Sequence, residues 1–134
     1  MSFKIKLTLL AFITLMQYGC KDNAAKSKQS QAISYLAPAE FKEKSEGQTV
    51  IDIRSPREFQ QNHIEGAINI NYYDSDFLDK ISKFDKAKPI FIYCLSGSRS
   101  SSASRKLARS GFEKVYDLEG GVISWMKNGQ KLVQ

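Results

Sequence analysis

The chain has one histidine, two cysteines, one tryptophan and three prolines among its 134 residues. Each shortage excludes a class of function. A resident metal ion needs several imidazole, thiolate or carboxylate ligands grouped together, and His63, Cys20 and Cys94 are too few and too scattered to supply the softer ones. Two cysteines do not make the disulfide framework of a small secreted scaffold. Neither Gly-x-Gly-x-x-Gly nor Gly-x-x-x-x-Gly-Lys-Ser/Thr occurs, which sets nucleotide-binding loops aside. The longest apolar run, residues 7–16, falls short of the roughly 20 residues that cross a bilayer as a helix. The formal net charge is +6, and it falls to +4 without residues 1–19, which carry Lys4 and Lys6 and no acid. That surplus is scattered among acidic residues, so the contiguous basic stripe of a nucleic-acid binder is missing.

The N-terminus has its own character. Met1-Ser-Phe-Lys-Ile-Lys6 is a basic segment, and Leu7-Thr-Leu-Leu-Ala-Phe-Ile-Thr-Leu-Met16 is an apolar one, the arrangement of a secretory leader. It ends Gln17-Tyr-Gly-Cys20, which resembles a bacterial lipoprotein cleavage site, with Gly19 before the cysteine to be acylated. Gln17 and Tyr18 depart from that pattern, and simple secretion or an uncleaved anchor are the alternatives. The resemblance implies a leader over 1–19, lipidation of Cys20, and a protein tethered to the membrane of the bacterial cell envelope, on the periplasmic side or the outer surface. Residues 20–32 are otherwise polar and read as a flexible tether, and the folded domain is expected over 33–134.

Within that domain, short apolar runs alternate with helical patterns. Strands are expected at Thr49–Ile53, Gly66–Ile70, Ile90–Cys94 and Val115–Leu118. Pro38–Lys44 reads as a short helix with proline in its first turn. Ser55-Pro-Arg-Glu58 has the spacing of a capping box opening another. Phe77, Leu78, Ile81 and Phe84 recur at helical spacing, Ser100–Arg109 suits a helix that Gly111 can end, and Gly120-Gly121 opens a last one. Alternation of this kind predicts an α/β fold with a mostly parallel sheet covered by helices on both faces. The ligand site of such a sheet lies at the carboxyl ends of its strands.

Cys94 stands at one of those ends, in Cys94-Leu-Ser-Gly-Ser-Arg99, between a strand and a helix start. Main-chain N–H groups and the positive end of the helix dipole, roughly +0.5 charge, are expected to face its sulfur. That setting favours the thiolate, which is the nucleophile. Leu95, Ser96, Gly97, Ser98, Arg99 and Ser100 can curl around it as a ring of N–H donors. Gly97 allows close backbone approach, and Arg99 brings a permanent charge with fork-shaped donors. The hydroxyls of Ser96, Ser98 and Ser100 suit either an anion or the cap of the helix. Asp52, Arg54 and Glu58 read as one ion network bracing the loop, His63 as a hydrogen-bonding group in a turn, and Trp125 and Met126 as core.

With those residues in view, the chain resembles a single-domain rhodanese. Asp52-Ile-Arg-Ser-Pro-Arg-Glu-Phe59 with His63-Ile-Glu-Gly-Ala-Ile-Asn-Ile70, Tyr93-Cys-Leu-Ser-Gly-Ser-Arg-Ser100 and Leu118-Glu-Gly-Gly-Val-Ile-Ser-Trp125 are similar to that family's three signatures, in order, across roughly residues 34–130. The resemblance implies a rhodanese-like α/β fold of about five strands. It also implies a sulfurtransferase that needs no cofactor or metal. Cys94 would take a sulfane sulfur from a donor such as thiosulfate or a polysulfide, hold it as a persulfide, and pass it to cyanide or a thiol. Leu95 stands where some members carry a basic residue, and Asn62 where glycine is common. Two rivals are set against this. Phosphatase loops place five residues between Cys and Arg, whereas four separate Cys94 from Arg99, a tighter ring suited to sulfur. The second rival is a non-catalytic module that binds a partner or senses oxidants through Cys94; many rhodanese-like domains lack the nucleophile, and its retention here favours catalysis.

Overall fold

Five short strands pair in parallel as one sheet in the computed structural model, which describes residue 27 and residues 31–134. The chain divides into two units, Met1–Gln31 and Ala32–Gln134, and the sheet belongs to the second. The expected leader, Cys20 and most of the tether lie outside the described residues. In chain order the elements are β1 (Ile33–Leu36), α1 (Pro38–Ser45), β2 (Thr49–Asp52), α2 (Pro56–Gln61), β3 (Ile68–Asn69), α3 (Phe77–Ile81), β4 (Ile90–Tyr93), α4 (Ser98–Arg109), β5 (Val115–Leu118) and α5 (Gly121–Lys127). The sheet order is β1-β5-β4-β2-β3.

The α/β expectation holds, and the reason is visible in β4. All four of its residues are buried, because it lies between β2 and β5 with helices over both faces. Period-two alternation then sorts its side chains. Ile90, Ile92 and the following Cys94 join the core that contains Ala103 and Leu107 of α4 and Phe77 and Ile81 of α3. Phe91 and Tyr93 join the opposite core, with Phe41 of α1 and Val122 and Trp125 of α5.

Several boundaries differ from the expectation. Ile33–Leu36, expected only as the start of the domain, is an edge strand that pairs with β5 from Ile33↔Val115 to Leu36↔Leu118. The run at 66–70 shortens to Ile68–Asn69, since Gly66 and the turn closed by Ala67 N–H on the Ile64 carbonyl use up its first residues. It is the other edge strand, paired with β2. Phe84 falls beyond α3, and Leu78 is exposed there despite its helical spacing. Met126 is half exposed, so of the pair expected in the core only Trp125 is there.

Phe41 carries much of the α1 contact. It is fully buried and meets Phe91 and Trp125 edge-to-face, at ring-centroid distances of 5.3 and 6.2 Å. Truncating a buried phenylalanine removes apolar burial and leaves a cavity. Phe41→Ala is expected to cost about 3–5 kcal/mol in denaturant unfolding, while the exposed Leu78→Ala costs less than about 1 kcal/mol.

Candidate active site

The chain leaves β4 at Tyr93 and turns at once. Cys94 is buried at the carboxyl end of the strand, Leu95 and Ser96 are exposed, and Gly97 is the N-cap of α4 with φ of 92°. An L-residue is strained there, and an added Cβ would press on the backbone of Gly120, 3.3 Å away. The positive φ folds the loop back so that its amides converge on the cysteine. Gly97 N–H donates to Cys94 Sγ at 3.1 Å, and Ser100 N–H donates to it at 3.4 Å. The Ser100 hydroxyl lies 3.6 Å from the same atom. Of the expected ring of donors these are the ones that bond the sulfur.

The serines divide accordingly. Ser96 and Ser98 are exposed, and Gly97 caps the helix without a side chain. Ser100 is buried, with its hydroxyl also placed to donate to the Gly97 carbonyl at 3.2 Å. It is the loop hydroxyl that reaches Sγ.

The loop is held from behind by the start of α5. Val122 N–H donates to the Cys94 carbonyl at 2.9 Å, and Ile123 N–H donates to the Leu95 carbonyl at 3.1 Å. Two loop carbonyls are thereby turned away from the sulfur, which leaves the N–H groups facing it. Gly121 makes this approach possible. Its φ is 59°, and an added Cβ would collide with the Cys94 carbonyl and with Leu95.

Arg99 makes no hydrogen bond to the sulfur, although its charge is near enough to interact with it. Its guanidinium grips Glu58 with Nη2 on Oε1 at 2.8 Å and Nη1 on Oε2 at 3.1 Å. Glu58 is also the third residue of α2, where it closes the expected capping box with Ser55. One carboxylate therefore starts one helix and clamps the first turn of another. Arg99 holds the Glu58 carboxyl down at about 2, despite partial burial that acts the other way.

The expected single network of Asp52, Arg54 and Glu58 is two separate pairs. Asp52 and Arg54 are both buried and bond to each other, with Arg54 Nη2 on Asp52 Oδ2 at 2.7 Å. Arg54 also donates to the Asn62 carbonyl, and Asn69 Nδ2 spans the carbonyls of Asp52 and Arg54. This pair fastens the end of β2 to segment 62–69 and lies against Tyr93, the last residue of β4, with the Arg54 guanidinium 5.8 Å from its ring centroid. Glu58 is the one of the three that bonds the loop's helix. The separation follows from side-chain reach: Arg54 folds back on its own strand, which leaves Glu58 to Arg99. His63 stacks on Phe59 with ring centroids 3.9 Å apart, and its Nδ1 lies 3.0 Å from the Phe59 carbonyl, a role in the turn.

Residues 37–128 match the model of the rhodanese-like domain. The chain belongs to the rhodanese-like family. It is 39% identical over 93 residues to a chloroplastic thiosulfate sulfurtransferase 16 of Arabidopsis thaliana, covering 62% of this chain and 78% of that one. It is 35% identical over 91 residues to the thiosulfate sulfurtransferase GlpE of Ectopseudomonas mendocina, covering 67% and 82% respectively. Among solved structures, a rhodanese-related protein of Thermoplasma volcanium superposes with a TM-score of 0.66 at 30% identity, covering 74% of this chain and 96% of the other. In this rhodanese-like domain the five-stranded parallel sheet is the family fold.

Two outcomes test the site's construction. Gly121→Ala is expected to destabilise the domain by about 1–3 kcal/mol in denaturant unfolding, from strain at positive φ and displacement of the loop. The second concerns pH. A carboxyl held at about 2 in the fold, against an ordinary 4.5, stabilises the fold above that ordinary value and ceases to as pH falls toward 2. The wild type is therefore expected to lose more stability across that window than Glu58→Gln, measured by thermal unfolding at a series of pH values.

Proposed function

We propose that this rhodanese-like domain is a sulfurtransferase whose carrier is Cys94. The observation that supports it most is the pair of amides, Gly97 and Ser100, bonded to one buried sulfur at the start of a helix. Hydrogen-bond donors fixed in place before the reaction stabilise a charge on sulfur without reorganising. The Cys94 thiolate attacks the outer sulfur of a donor, the bond from that sulfur to the rest of the donor breaks, and the remainder leaves with the electron pair. With thiosulfate the leaving group is sulfite. The extra sulfur, now bonded to Cys94 as a persulfide anion, is then attacked by cyanide or a thiolate. The sulfur–sulfur bond breaks and Cys94 is restored as thiolate.

The neighbourhood bears on donor choice. Leu95, 40% exposed, presents an apolar side chain at the loop's surface, and the Arg99 charge is paired with Glu58. The apolar surface of Leu95 favours a singly charged persulfide over a doubly charged donor such as thiosulfate. The N-terminal pattern supports a place on the bacterial cell envelope, with Cys20 lipidated and the domain tethered beyond it. Labelling with a fatty-acid probe is expected to mark the wild type and not Cys20→Ser; release of an unlabelled wild type into the soluble fraction would remove this assignment.

The test of the function itself is mass spectrometry of the reduced domain after treatment with polysulfide or thiosulfate. Cys94 should gain one sulfur atom, cyanide should remove it, and Cys94→Ala should gain none while keeping its fold. If no donor loads Cys94, the transferase reading fails and the domain is a binding module.

A further inference from the structure

A buried carboxyl lies beneath the loop without a part in the steps above. Asp117 is on β5, only 1% exposed, with its side chain under α4. Ser104 Oγ donates to its Oδ2 at 3.2 Å, and Oδ1 has no hydrogen-bond partner among the described residues. The Ser100 hydroxyl lies near enough to this carboxyl to favour its charged form. An unpartnered carboxylate oxygen in a protein interior is costly, so its retention calls for a reason.

The sheet register supplies the geometry. Ile92 of β4 is the partner of Asp117, and Cys94 follows two residues after Ile92 on the same face. Cys94 and Asp117 are thus diagonal neighbours under the first turns of α4, with the Ser100 hydroxyl bonded to the sulfur and close to the carboxyl. The cysteine is buried, so the groups bonded to its sulfur are the nearest ones its thiol proton can meet. Among the described residues, three groups bond its sulfur. The N–H groups of Gly97 and Ser100 can only donate, and the Ser100 hydroxyl alone can accept a proton.

We propose that Asp117 receives the Cys94 thiol proton through the Ser100 hydroxyl, so that thiol and carboxyl share one proton. The proposal deepens the reading of Cys94 as the sulfur carrier and takes its purpose from it. In the step, the Sγ–H bond breaks as the Ser100 oxygen takes that proton, and the hydroxyl's own proton passes to the carboxylate. Sulfur becomes anionic, Asp117 becomes neutral, and the total charge stays at minus one. No electrons are gained or lost. Ser100 is free to turn its hydroxyl from the Gly97 carbonyl toward the carboxylate, since both lie within its reach. Asp117 acts on sulfur only through Ser100, which makes it a positioning residue.

Its surroundings suit the task. Burial pushes the Asp117 carboxyl up to about 6, nearer to a thiol than an ordinary carboxylate is. From α4 it is faced by Ser100, Ser104 and the cationic Arg105, which favours the charged form. From β4 its register neighbour is the apolar Ile92, and from β1 it is Tyr35, whose hydroxyl is hydrogen-bonded to Ser101.

The experiment follows both groups against pH. One curve is the rate of Cys94 alkylation by iodoacetamide, read by intact mass. The other is the NMR shift of the Asp117 carboxyl carbon. A shared proton makes both wild-type curves biphasic with common midpoints. Asp117→Asn is expected to reduce the alkylation curve to one step, and blocking Cys94 to reduce the carboxyl curve to one step. Superimposable alkylation curves for wild type and Asp117→Asn overturn the proposal. So does a carboxyl curve unchanged by blocking Cys94, a comparison that needs no variant to fold. Sulfur loading by polysulfide is scored separately on the same samples. Loading with superimposable curves overturns proton sharing and leaves the transferase reading intact. Absence of loading overturns that reading, while the two curves still decide whether the proton is shared.

Discussion

The amides of Gly97 and Ser100 reach the Cys94 sulfur only because β4 stops at Tyr93 and α4 begins at Ser98. Much of the fold enforces that short junction. Burial of β4 on both faces fixes where the strand ends and which way the cysteine points. The left-handed Gly97 turns the chain, and the N–H groups of Val122 and Ile123 draw the loop carbonyls to the far side. A loop whose carbonyls faced inward would repel a charged sulfur. Orienting the peptide dipoles is therefore the main electrostatic contribution of the fold at this site, made before any donor arrives.

Charged side chains play a different part from the one their types suggest. Arg99 is the cation nearest the loop in sequence, yet it is tied to Glu58, and the pair serves as a clamp between α2 and α4. Asp52 and Arg54 form a second clamp at the end of β2. With these charges paired, the hydrogen bonds to sulfur come from neutral donors, and Arg99 acts on it only at a distance.

Much of this was legible in the residues. The parallel sheet, the two-faced core and the strand–cysteine–helix junction follow from alternation of short apolar runs with helical spacing, and the capping box of Ser55 and Glu58 formed as its spacing implied. Edge strands were harder. Ile33–Leu36 is too short and too mixed to stand out, and it is defined by pairing with β5, which is far away in sequence. The pairing of Glu58 with Arg99 was hidden for a similar reason, since it depends on how α2 and α4 meet. Asp117 gave no signal beyond one acidic residue in an apolar run, Val115-Tyr-Asp-Leu118. Its inward direction was readable from period two, but its neighbours Ser100 and Ser104 become neighbours only once α4 lies over β5. Met126 shows the opposite error, an apolar residue left exposed because α5 buries one side only.

The central claim is that the loop amides hold a negatively charged sulfur carried on Cys94. A crystal structure of the domain loaded with polysulfide tests it most directly. The claim predicts an extra sulfur on Cys94 Sγ lying within about 3.5 Å of loop N–H groups between Leu95 and Ser100, at hydrogen-bonding distance for sulfur. An extra sulfur turned away from those amides, or carried on any other residue, would contradict it.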